Sequence, residues 1–137
     1  MAIVGHKILN YLYIGRAKLA EAVLNLLDFR PVKIYLAFLF ILNALNWLLG
    51  YFVNQSVSQN LVVLHYNVNL GVNLIGQVSE IYIIPTLGLA FTVINFLLLL
   101  NLRARSNFLI HLLLGFSLLV NLFLTVAILA VYLINFR

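Results

Sequence analysis

The chain has no cysteine, two prolines, three acidic residues and one tryptophan among its 137 residues. Without cysteine there is no disulfide, no thiolate nucleophile and no cysteine-bound metal, and the sequence carries no signal of redox compartment. Charged residues are only 8% of the total, too few for the solvated surface of a globular protein. The sequence also lacks a Gly-rich phosphate loop, a nucleophile elbow and any zinc-type cluster. These absences leave no catalytic residue, metal-ligand set or cofactor to expect, and the chain reads as non-enzymatic.

What is present is apolar. Hydrophobic residues make up 65% of the chain, and its mean hydropathy is +1.13. The expected fold class is an all-α membrane protein forming one integral membrane domain over residues 1–137. Three runs have spanning length, at about 32–53, 81–102 and 107–136. The first carries Asn43, Asn46, Trp47 and Tyr51; the last two flank the short link Arg103-Ala104-Arg105-Ser106, which predicts an antiparallel hairpin of helices.

The basic residues set the expected orientation. Lys7, Arg16, Lys18, Arg30 and Lys33 precede the first run, Arg103 and Arg105 join the second to the third, and the loop from Asn54 to Ser79 has none. Cytoplasmic flanks carry the Lys and Arg excess, so the N-terminus is expected inside the cell, with the long loop and the C-terminus outside. The formal charge of +5 then points to the anionic inner leaflet as a partner. Nucleic acid is not expected, because the basic residues are not clustered with stacking aromatics. No cleaved signal peptide is expected either, since the first long apolar run is itself of spanning length and begins about thirty residues in.

Residues 3–29 read as an interfacial amphipathic helix. At 100° per residue, Ile8, Leu12, Leu19, Val23 and Leu26 share one face, and Lys7, Asn10, Lys18, Glu21, Asn25 and Asp28 the other. Pro31 is expected to end it. Within the spans, polar residues recur at helical spacing: Asn43 and Asn46 on the first, Thr92 and Asn95 with Gly88 on the second, and Ser117, Asn121 and Thr125 on the third. Such stripes predict helix packing. No acid or base lies mid-span, as ion pathways and proton relays require, so transport is disfavoured. His111 lies about one turn into the third span, where a backbone or headgroup partner is the ordinary expectation.

The loop alternates apolar and polar residues without interruption from Leu64 to Leu74. Period two over that length predicts an extended, half-buried segment, placed at 61–74, with Gly71 as a point of bending. Its backbone groups need partners, either residues 57–63 or a strand of another chain. Ser79 and Glu80 suit the start of the next helix, the hydroxyl as cap and the acid on the positive end of the dipole. The candidate interaction residues are His65, Tyr66, Asn67, Asn69, Gly71, Asn73 and Glu80. His65 with Glu80 would need further partners to act as an acid and base pair or to hold a metal, so a hydrogen-bonding role is expected of the histidine.

The stretch His65-Tyr66-Asn67, then Gly71 and Gly76, then Ile84-Pro85 opening an apolar helix, resembles a small bacterial integral-membrane domain of unknown function found in the immunity protein family for a sporulation-delay toxin. The resemblance covers roughly residues 61–95. The family's pattern has a proline shortly before the histidine and an acidic residue after the glycine, where this chain has Leu64 and Asn73. What the resemblance implies is a multi-pass protein of the bacterial plasma membrane with this loop outside. Two functions follow as expectations. One is a structural or accessory subunit that forms a homo-oligomer or joins another membrane protein; the other is a receptor, immunity or sensing module that binds an extracellular ligand through residues 54–80.

Overall fold

The computed structural model describes residues 2–57, 60–69, 71–101 and 107–136, with side chains from Ile14 onward, Asn67 excepted. The elements are α1 (Ala2–Leu27), α2 (Arg30–Ser56), β1 (Leu61–Asn67), β2 (Gly71–Gln77), a 3-10 helix (Val78–Tyr82), α3 (Ile83–Asn101) and α4 (Asn107–Asn135). Three helical stretches are long and apolar enough to cross a membrane: Arg30–Ser56, Val78–Asn101 and Asn107–Asn135. Only 22% of each apolar window is buried within the fold. Large apolar side chains such as Phe40, Ile94 and Phe123 therefore face outward, as a helix surrounded by lipid requires and one surrounded by water does not.

The buried positions repeat. On α2 they are Val32, Leu39, Asn43, Asn46, Gly50 and Val53, and on α4 Ile110, Leu114, Ser117, Asn121, Ile128 and Val131. Pro85, Gly88, Asn95 and Leu99 do the same on α3. Steps of three, four and seven residues keep one seam of each helix turned to its neighbours, as in coiled coils. The helix α4 packs against both α2 and α3, more extensively than those two pack on each other. One apolar cluster (Leu26, Val32, Leu39, Leu99, Ile110, Leu114) closes the end of the bundle beside α1. A second (Val53, Val62, Val78, Ile81, Ile128, Val131) closes the end beside the strands.

Several boundaries differ from those the sequence suggests. Pro31 does not end the first helix: α1 stops at Leu27, and Pro31 lies in the first turn of α2, behind the extended Phe29. A proline costs little there, because the backbone N–H it lacks has no partner within the helix at that position. From Ile14 to Glu21 every side chain of α1 is exposed, and among its described side chains only those from Ala22 onward meet the bundle. Lys7, Ile8, Asn10 and Leu12 lie outside the described side chains, and the link 103–106, Leu70 and Arg137 outside the described residues.

The extended segment 61–74 is two antiparallel strands reaching Gln77, paired from Leu61↔Gln77 to Asn67↔Gly71. The alternating run folds back on itself because Gly71 takes φ +73°, a conformation that costs glycine little. Pairing within one run satisfies backbone groups that a single strand would leave open. Ser79 is not the cap of the following helix. That start is at Gln77, whose N–H donates to a Glu80 carboxylate oxygen at 3.3 Å. An acid three residues on can reach back to the cap N–H; the Ser79 hydroxyl, already inside the turn, cannot take that place.

Candidate functional site

The three polar stripes meet in a layer between the two apolar clusters. On α4, Ser117, Asn121 and Thr125 stand one turn apart and turn from one neighbour to the other. Ser117 receives the amide of Asn95 at 2.8 Å, on the α3 side. One turn on, Asn121 donates to the carbonyl of Gly88 at 3.2 Å, and its side-chain oxygen accepts from Asn43 at 3.4 Å. A further turn on, Thr125 donates to the side-chain oxygen of Asn46 at 2.7 Å, on the α2 side. Asn43 also reaches the carbonyl of Pro85 at 3.0 Å, and Asn46 that of Asn121 at 3.3 Å. Thr92 donates to Gly88 one turn back, at 2.9 Å, and accepts from Asn121 at 3.4 Å.

The seven polar residues singled out in the spans thus form one cluster. Asn46, Ser117 and Asn121 are fully buried. Among the described residues, no buried side-chain nitrogen or oxygen lacks a partner. An amide in apolar surroundings without a partner costs several kcal/mol, so a closed set of bonds is the condition for such a layer to exist. Several partners in it are backbone carbonyls, those of Pro85, Gly88 and Asn121 among them, which side-chain patterns do not reveal.

At the strand end, His65 pairs with Asn73 across the hairpin, Nδ1 to Oδ1 at 2.6 Å. The histidine is therefore joined to an amide, while Glu80 is held by Gln77. Tyr66 is exposed on β1, Asn69 is exposed in the turn, and Asn67 pairs in register with Gly71. Among the described residues of the apolar face expected to be half-buried, only Leu64 is so, next to the buried Val62 that precedes that face. Tyr66, Val72 and Leu74 are open, and Val68 at the tip is 88% exposed. Among the described residues, no three His, Asp or Glu side chains gather as a metal site would need.

Three contacts join parts that sequence reasoning left unconnected. The Asn135 amide, at the end of α4, accepts from the N–H of Val63 and donates to its carbonyl, both at 2.9 Å. It takes the place on β1 that a neighbouring strand would take. Asn135 follows Ile128 and Val131 by steps of three and four, so it continues the buried repeat of α4, and that spacing was its signal. The Nδ1 of His111 pairs with the hydroxyl of Tyr35 at 3.1 Å. Trp47 stacks on Tyr82 with ring centroids 5.7 Å apart, and the Tyr82 ring lies beside Gly50.

No family model, curated protein or solved structure matches the chain.

Proposed function

We propose that this chain is a small, non-catalytic integral membrane subunit that forms an oligomer or joins a larger membrane assembly. It lies in a bacterial plasma membrane, with α1 on the anionic inner leaflet and the hairpin on the outer side. The observation that carries this reading is the closed amide layer. Its donors and acceptors are used up between the helices, so the polar residues of the spans serve to hold the bundle. What remains available to a partner is the hairpin, which is ordered, uncharged and largely exposed. Trp47, Tyr51, Tyr82 and Tyr132 stand near the hairpin ends of their helices, where an aromatic belt belongs at an outer interface. Extraction in mild detergent followed by native mass spectrometry tests the proposal. An oligomer or a stoichiometric complex is expected, and a clean monomer with nothing bound overturns it.

A second reading, that of an immunity or sensing module, draws on the same hairpin. The pair His65 and Asn73, with Tyr66 beside them, gives an extracellular ligand an ordered polar surface. Removing residues 61–76 would then abolish protection or signalling while the chain still inserts. A deletion without phenotype rejects it.

A further inference from the structure

A sheet of two strands has two edges, and here they are treated differently. The edge of β1 is closed by Asn135, which bonds both backbone groups of Val63. At its foot, the N–H of Val78 donates to the carbonyl of Asn60 at 3.2 Å. Among the described residues, the edge of β2 has no neighbour in the sheet. Its sequence, Gly71-Val72-Asn73-Leu74-Ile75-Gly76-Gln77, has no charge and no proline, the usual guards of a free edge. Val72, Leu74 and Ile75 are each about half exposed: 47%, 53% and 58%.

We propose that β2 pairs antiparallel with β2 of a second copy of this chain, about a two-fold axis. This rests on the reading of the chain as a membrane subunit, and names its partner. Three features favour a second copy over an unrelated strand. In an antiparallel pair of identical strands the residue at the axis faces its own copy, so a charge there would be repelled; β2 has none, and self-pairing meets no repulsion in any register. Copies inserted in one membrane share one orientation, which brings their hairpins to the same height. The order β1-β2-β2-β1 then leaves only the two β1 edges outside, and Asn135 covers the Val63 groups of each. The assembly therefore closes as a dimer instead of growing into a filament.

The native chain has no cysteine, so any introduced cysteine is its only thiol. Single cysteines at Val72, Asn73, Leu74, Ile75 and Gln77 of the full-length chain are oxidised in the membrane. Two others serve as controls: Val68→Cys at the hairpin tip and Phe123→Cys on the outward face of α4. Disulfide-linked dimer is expected to peak at one position of β2 and to fall by about tenfold within two residues, because only the residue at the axis brings its Cα within roughly 4.4–6.8 Å of its own copy. Leu74→Lys, or Ile75→Lys if the peak is at 74, should lower the peak by about tenfold by setting two ammonium groups together at the axis. Uniform cross-linking, or a maximum at Phe123, overturns the proposal. So does an absence of cross-links when native mass spectrometry shows the chain bound to another protein, an outcome that leaves the subunit reading intact. A monomer by both methods removes both.

Discussion

Asn121 and Gly88 are in contact across the α3–α4 seam: the amide of Asn121 donates to the Gly88 carbonyl at 3.2 Å, and a methyl group on Gly88 would lie 2.5 Å from the Asn121 side-chain oxygen. The same methyl would come within 3.1 Å of the Asn43 nitrogen. At Pro85 and Gly88 the layer closes because α3 presents bare backbone to the amides of α2 and α4.

Gly88→Ala is therefore expected to destabilise the bundle by about 1–3 kcal/mol, as overpacking of a close contact does. Asn121→Leu should cost a similar amount, since it removes bonds to both α2 and α3 and leaves the Gly88 carbonyl with fewer donors. Asn95→Leu, which removes the amide together with its one bond to Ser117 while Ser117 keeps its bond to the Leu113 carbonyl, should cost only about 0.6 kcal/mol, the average for a single hydrogen bond between membrane helices. Unfolding in mixed micelles against increasing denaturing detergent ranks the three. Equal values for Asn95→Leu and Asn121→Leu would contradict the central place given to Asn121.

The spans and their polar stripes were legible because hydropathy and helical spacing are local properties, and each asparagine of the layer stands out against an apolar run. Pro85 and Gly88 contribute through their carbonyls, which every residue has, so no side-chain pattern marks them. The alternation from Leu64 to Leu74 announced extended structure correctly but concealed its turn, since period two continues unbroken through residues 68–70. Only Gly71 pointed to it. The expected burial of that face failed for a different reason: among the described residues, the strands meet the second apolar cluster only through Val62 and Leu64 of β1. Pro31 was misread because proline both follows a helix and begins one, and the break at Asp28 and Phe29 carries no glycine to decide between the two.

Asn135 should be what fixes the hairpin to the bundle. Asn135→Leu removes two hydrogen bonds to Val63 and leaves that N–H and carbonyl without their partner, at a cost of about 1–2 kcal/mol. Because the loss is local, α2 and α4 should keep their protection while amide exchange at Val63 accelerates by about tenfold or more. Unchanged exchange at Val63 would show that the edge of β1 is protected by something other than this amide.

Gly71 and Gly15 should respond in opposite directions to the same substitution. A methyl group would meet nothing within 4 Å at either position, so contacts do not decide the outcome. Gly71 has φ +73°, and alanine there is expected to weaken the hairpin by about 1–2 kcal/mol, with Gly71→Asn less harmful. Gly15 lies inside α1, where alanine should strengthen the helix by about 0.5–1 kcal/mol. Amide exchange across residues 61–77 and far-UV circular dichroism measure the two effects. Equal tolerance at both positions would mean that the hairpin turn does not need its left-handed residue.

The distribution of Lys and Arg predicts which side of the membrane each end of the bundle faces. Seven of the eight basic residues lie before α2, in its first four residues, or between α3 and α4, and none lies between Asn54 and Ser79. Holding lysine and arginine on the cytoplasmic side is what orients short-looped membrane proteins, and acidic residues contribute little to it. With no native thiol to interfere, Val68→Cys should react with a membrane-impermeant maleimide in intact cells. Lys18→Cys should react only after permeabilisation. Both side chains are exposed on the protein itself, so a difference in labelling reports the membrane and not burial in the fold. The reverse pattern would put the basic end outside, against its charge, and would place the hairpin and its free β2 edge in the cytoplasm. Any partner strand would then have to come from that compartment.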